Sequence, residues 1–141
     1  MQIKVVYMAL VGALGSFFSV LFGTYSHTLE TLLILMVFDT LTGGIVIPIY
    51  FRKSPKSKSG CINSKAFGTG IARKFYRIVM VAVAYRLDLT FGINYLMNAL
   101  VIAFIFEETI SLVENGAIMG VPLPKFFTDA LDVLKTKVGR E

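Results

Sequence analysis

Residues 31 to 51 run for 21 positions with a single charged side chain, Asp39. That is the length a helix needs to cross the hydrocarbon core of a bilayer, about 20 residues. Backbone amides at that depth find no water, so a spanning run must be helical or belong to a closed barrel. More of the 141-residue chain reads the same way. Ile3 to Phe22 carries only Lys4, and Tyr95 to Val113 carries only Glu107 and Glu108. Ile78 to Tyr85 is too short alone, but reaches spanning length when extended back through Ile71, Phe75 and Tyr76. Arg73, Lys74 and Arg77 then stand at its start, where long basic side chains snorkel to the headgroups.

The expected architecture is an all-α membrane protein, residues 1–141 as one membrane domain. It is a small bundle of about four transmembrane helices, near 3–22, 31–51, 70–87 and 94–113, joined by a basic loop at 52–69. A C-terminal amphipathic helix is expected over 125–138. Phe127, Leu131, Leu134 and Val138 share one face there, and Asp129, Asp132 and Lys135 another. It suits the membrane surface, or a place against the bundle or a neighbour. A three-span arrangement is the alternative. A signal-peptide reading of the first run competes too, but no A-x-A site follows it and further spans do.

The chain is 55% hydrophobic and 16% charged, against about 25% charged in a soluble domain. This excludes a disordered chain and argues against a soluble enzyme. One cysteine, Cys61, excludes an intrachain disulfide and a multi-cysteine zinc site, and one histidine, His27, leaves little for metal or acid–base chemistry. The Gly68-Thr69-Gly70 within Lys65 to Arg73 follows no strand, so a nucleotide reading fails on context. No catalytic, cofactor-binding or metal-binding residues are expected.

Eight of the 14 Lys and Arg residues fall between 52 and 77, a window with no Asp or Glu: Arg52, Lys53, Lys56, Lys58, Lys65, Arg73, Lys74 and Arg77. Between apolar flanks, such a loop reads as cytoplasmic rather than as a nucleic-acid patch. Four helices then put both termini inside. The short loops 23–30 and 88–94, which hold no Lys or Arg, fall outside, with Arg86 the one exception to the rule. The stretch SPKSKSG reads as a flexible linker.

Three sets of residues stand out inside the spans. Asp39 lies near the middle of the second, where a charge costs about 2.5–3.5 kcal/mol. It is expected to turn, with Thr42, toward other helices or water. Its role is either a contact that controls assembly or lines an aqueous path, or a structural bond to Thr40, Thr42 or a neighbour. Glu107 and Glu108 point about 100° apart, so only one can face a given partner. Glu107 is expected to meet the second helix or the basic start of the third, and Glu108 to reach the cytoplasmic interface. Small residues recur four apart in the first helix, as Gly12 and Ser16 and as Gly15, Ser19 and Gly23, with Gly43 in the second. That spacing lets helices approach closely, within one chain or between copies.

Three motifs then coincide in order. Phe38-Asp39-Thr40-Leu41-Thr42-Gly43 lies in the second run. Asn63-Ser64-Lys65 and Phe67-Gly68-x-Gly70-Ile71-Ala72-Arg73-Lys74 close the basic loop. Glu107-Glu108 and Ser111 precede Glu114-Asn115-Gly116 and Gly120-Val121-Pro122-Leu123-Pro124-Lys125. Over roughly residues 29 to 135 this set resembles the phage holin family of the toxin-secretion and phage-lysis type. The resemblance implies a small multi-pass protein of the host bacterial cytoplasmic membrane, with no enzymatic activity and no cofactor. It implies self-association into lesions that collapse the membrane potential and release a cell-wall-degrading endolysin. The lipid bilayer, further copies of the chain and an endolysin are the implied partners, with no nucleic acid. The alternatives are a small ion channel or transporter subunit using Asp39 and Glu107, and a membrane scaffold that leaves permeability unchanged.

Overall fold

Local chemistry sets where the helices start and stop. In the computed structural model, which describes residues 2–24 and 26–138, the first helix, α1 (Gln2–Phe22), ends at Gly23. Gly23 has a φ of 77°, a left-handed conformation that glycine adopts without strain. The second, α2 (His27–Leu41), runs on without a break into a π-helical segment, Thr42–Phe51. Thr42 stands at the change. Its hydroxyl donates to the Phe38 carbonyl at 2.8 Å, sharing the acceptor that its own N–H uses in an α-helix. Gly43, Gly44 and Pro48 follow, residues that hold an α-helix poorly.

Asn63 caps α3 (Ser64–Phe91), its side-chain oxygen accepting from the Ala66 N–H at 3.1 Å. The helix thus begins six residues before the expected start at 70 and takes Lys65 and Gly68 out of the loop. The loop itself is folded on hydrogen-bonded turns: Ser54 N–H donates to Gly60 O at 3.0 Å, and Gly60 N–H to Ser57 O at 3.1 Å. A Cβ on Gly60 would sit 1.9 Å from the Arg52 carbonyl, so only glycine fits there. The SPKSKSG stretch is therefore a closed turn against the end of the π segment, where a linker was expected.

Gly92 ends α3 and Gly120 ends α4 (Leu96–Met119), both with positive φ. α4 extends six residues past the expected end at 113, so the break falls at Gly120–Pro124. Asp88 joins the two helices. Its carboxylate accepts from the Leu96 N–H at 3.1 Å and the Met97 N–H at 2.9 Å, satisfying the open first turn of α4. α5 spans Lys125–Val138. The side chains of Phe127, Leu131, Leu134, Lys135 and Val138, on which the expected amphipathic faces largely rest, lie outside the described residues.

The described residues form helices and no strand. α2 lies chiefly along α4, α3 lies along α4, and α1 touches α3. One apolar core, with Phe22, Leu32, Met36, Val81, Ala84, Met97 and Val101 at its centre, fills the end near the turns after α1 and α3. Elsewhere the surface is apolar: Phe17, Val37, Phe75, Phe91 and Phe106 are among many exposed large hydrophobic side chains. Patches of that extent mark contact with lipid or protein.

Among the described residues three helices are long and apolar enough to cross a membrane: Gln2–Phe22, His27–Phe51 and Leu96–Met119. α3 is not among them, because Arg73, Lys74, Arg77, Arg86 and Asp88 punctuate its apolar length.

Candidate functional site

Beyond the core, the interface of α2, α3 and α4 changes from apolar to ionic. The same faces that bury Leu32 and Met36 on α2 and Met97 and Val101 on α4 go on to present Asp39, Glu108, Ser111 and Asn115. On α4 the positions 101, 104, 108, 111 and 115 repeat at three and four residues, which keeps them on one face.

Glu108 is the centre of this cluster, with 1% of its side chain exposed. One carboxylate oxygen accepts from the Arg77 guanidinium at 2.6 Å, and the other holds the Lys74 ammonium. Lys74 also pairs with Asp39 at 2.9 Å. The other Asp39 oxygen accepts from the Ser111 hydroxyl at 2.6 Å and the Asn115 amide at 2.9 Å. Asn115 donates as well to the Thr42 hydroxyl at 3.0 Å. Arg77 reaches Glu107 at 2.7 Å on the exposed rim and lies 5.5 Å from the centre of the Phe104 ring. Among the described residues no buried side-chain nitrogen or oxygen lacks a partner.

Two buried carboxylates, Asp39 and Glu108, thus meet two cations, Lys74 and Arg77. An unpaired charge at this depth costs several kcal/mol, whereas a matched and hydrogen-bonded set offsets most of that. The geometry suits holding three helices in one register. Every acidic oxygen is directed at a cation or a donor, and among the described residues no three His, Cys, Asp or Glu side chains gather as metal ligands would.

The structure places the expected residues unevenly. Asp39 and Thr42 meet in the cluster. Glu108, expected at the cytoplasmic interface, is instead buried among the helices, while Glu107, 55% exposed at the rim, meets Arg77 near the start of α3 as expected. The reason is angular, since Glu108 continues the face of Val101 and Phe104 and its neighbour does not. That stripe was the available signal for Glu108, and also for Ser111 and Asn115. Lys74 and Arg77, expected to snorkel to the headgroups from the start of the third span, turn instead to the carboxylates between the helices. Arg52, Lys53, Lys56 and Lys58 lie in the loop, and Lys65 and Arg73 on the exposed side of α3.

The small residues divide as well. Gly43 lies against Asn115, where a Cβ would be 2.9 Å from the amide nitrogen. Gly23 lies against Tyr85, at 2.8 Å by the same measure. Gly12 and Gly15 have nothing within 4 Å, and Ser16 and Ser19 are exposed.

A sequence model of the bacteriophage holin family matches residues 16–136. The chain is 36% identical to an uncharacterized protein of Halalkalibacterium halodurans, over 83% of this chain and 84% of the relative. It is also 36% identical to an uncharacterized protein of Clostridium perfringens, over 88% and 87%. A protein of Bacillus phage phi105 named a probable holin is 32% identical, over 82% of this chain and 79% of the phage protein. No solved structure matches. The match takes in all three helices that build the charge cluster, and the chain belongs to the bacteriophage holin family.

Proposed function

We propose that the protein is a working holin. It gathers in the host bacterial cytoplasmic membrane, self-associates into lesions, depolarises the membrane and lets a cell-wall-degrading endolysin or a toxin escape. The observation that carries this is the family match across α2, α3 and α4, joined to a phage relative named a probable holin. The protein works without catalysis or cofactor, through helices that meet lipid and one another.

In this reading α3 is a fourth span, with the basic loop and both termini cytoplasmic. Charge pairing supports it. Lys74 and Arg77, which lower the apolarity of α3, are matched by Asp39, Glu108 and Glu107 from the flanking helices. A helix too polar to enter alone can enter beside partners that neutralise it. The turns before α2 and before α4 then share the outer side. α1 is the self-association element: Gln2 to Val20 are exposed throughout, and Gly12 and Gly15 stand open to a second helix.

The test expresses the chain with a cytoplasmic endolysin that lacks an export signal. Each alone leaves the wall intact, and the pair clears the culture after a delay with normal growth. Depolarisation without endolysin escape favours an ion channel instead. No depolarisation, with the protein present in the membrane, leaves the scaffold reading.

A further inference from the structure

The basic residues of the 52–77 window fall into two groups. Lys74 and Arg77 are consumed by the buried cluster. Lys56, Lys65 and Arg73 instead line an open groove of about 370 Å³, completed by Asn63 and Thr69, and Lys56 also lines the adjoining cavity that reaches Asp39. Lys65, Thr69 and Arg73 are four apart, so they stack on successive turns of α3. No carboxylate lines the groove, and none occurs between residues 52 and 77. Among the described residues no salt bridge engages any of the three cations. Like charges gathered around one groove repel each other and are stabilised by an anion. The positive end of the α3 dipole adds to the same field.

Depth and shape select the anion. The argument rests on α3 crossing the membrane, as proposed above. At 1.5 Å per residue its 28 residues extend about 42 Å, the thickness of a bilayer with its headgroups. The first turns, with Lys65 and Thr69, then stand at headgroup depth, and Arg73 reaches up from just below. Along the same stripe of α3 the surface turns apolar: Tyr76, Val83 and Leu87 are exposed. A cationic groove that continues into an apolar stripe matches a molecule with an anionic head and a hydrocarbon tail. We propose that this groove binds the headgroup of an anionic phospholipid from the leaflet facing the basic loop. It thereby fixes the depth and rotation of α3.

The purified full chain, reconstituted in phosphatidylcholine vesicles, tests this with spin-labelled phosphatidylglycerol against spin-labelled phosphatidylcholine. The fraction of each lipid immobilised by the protein is read by electron spin resonance. Preference for phosphatidylglycerol is expected, and Lys65→Gln with Arg73→Gln lowers it by about tenfold. Lys53→Gln with Lys58→Gln removes the same charge outside the groove and keeps most of the preference. Equal loss from both pairs, or loss from neither, overturns the proposal in favour of diffuse attraction or none. Inorganic phosphate that abolishes the preference at constant ionic strength also overturns it, because the groove then takes the free ion. The span itself is checked apart from lipid. Asn94→Cys in a Cys61→Ser background should react from the side opposite to Cys61 of the native chain. Reaction from the same side rejects the span and, with it, the depth argument.

Discussion

α1 and α4 are both long apolar helices, of 21 and 24 residues, yet they sit in the molecule very differently. α4 is clasped by α2 and α3, with Val101 and Glu108 fully enclosed. α1 leaves every residue from Gln2 to Val20 exposed and enters the core at its last turn, through Phe22. Both satisfy a bilayer equally well. Lipid tails are as apolar as leucine, so apolarity alone gives one helix no reason to seek another. What distinguishes α4 is its polar face. Glu108, Ser111 and Asn115 cannot be left in hydrocarbon, and their partners stand on α2 and α3. Buried polar side chains thus select neighbours inside this chain, and α1, which contributes none to the charge cluster, is left for contacts outside it.

The sharpest way to break that comparison is Glu108→Ala. It removes the acceptor that Lys74 and Arg77 share and leaves Lys74 to Asp39 and Arg77 to the rim Glu107, a loss of up to roughly 3–5 kcal/mol. Denaturation of the detergent-solubilised protein, followed by helical circular dichroism, should show a large fall in midpoint. An unchanged midpoint would mean that the cluster does not hold the helices together.

Asp39→Leu should come next. Lys74 keeps Glu108, but Ser111 and Asn115 lose their common acceptor, for about 1–3 kcal/mol. Membrane insertion is expected to persist, because the leucine suits the span better, while lysis in the endolysin assay shifts in time or fails. Asp39→Asn separates charge from hydrogen bonding. If both variants lyse on the unmodified schedule at equal protein levels, the contact is structural only.

A smaller effect sharpens the contrast within glycines. Gly43→Ala drives a Cβ against Asn115 and is expected to lower stability by about 1 kcal/mol, one or two hydrogen bonds' worth. Gly12→Ala and Gly15→Ala meet empty space, so fold stability should hold or rise by up to about 0.5–1 kcal/mol. Their effect should appear only between copies, as weaker cross-linking of the chain in membranes and later lysis. Normal cross-linking in both would remove α1 as the self-association face.

Much of this was legible in the chain. Long apolar runs with one or two charges each marked α1, α2 and α4, since the bilayer imposes one rule on every spanning segment. The motifs around Asp39, Lys74 and Glu107-Glu108-Ser111 pointed to the family. Helix ends were read less well where a side chain decides them: Asn63 capping α3, and the helical continuation of α4 through Glu114 and Asn115 to Met119. Both are local signals, but they compete with glycine-rich and basic stretches that read as loop.

Residue order alone makes the chain helical and apolar enough for a membrane and gathers most of its basic charge in one window. It also carried the family resemblance. These follow from length, composition and order, which act before any two helices meet. The packing of the helices settled the rest: Lys74 and Arg77 turn inward, Glu108 receives both of them, and Gly43 is held by Asn115 while Gly12 and Gly15 have nothing within 4 Å. Those outcomes depend on how the helices are rotated about their axes. The rotation of each helix is set by the partners that the others bring to it.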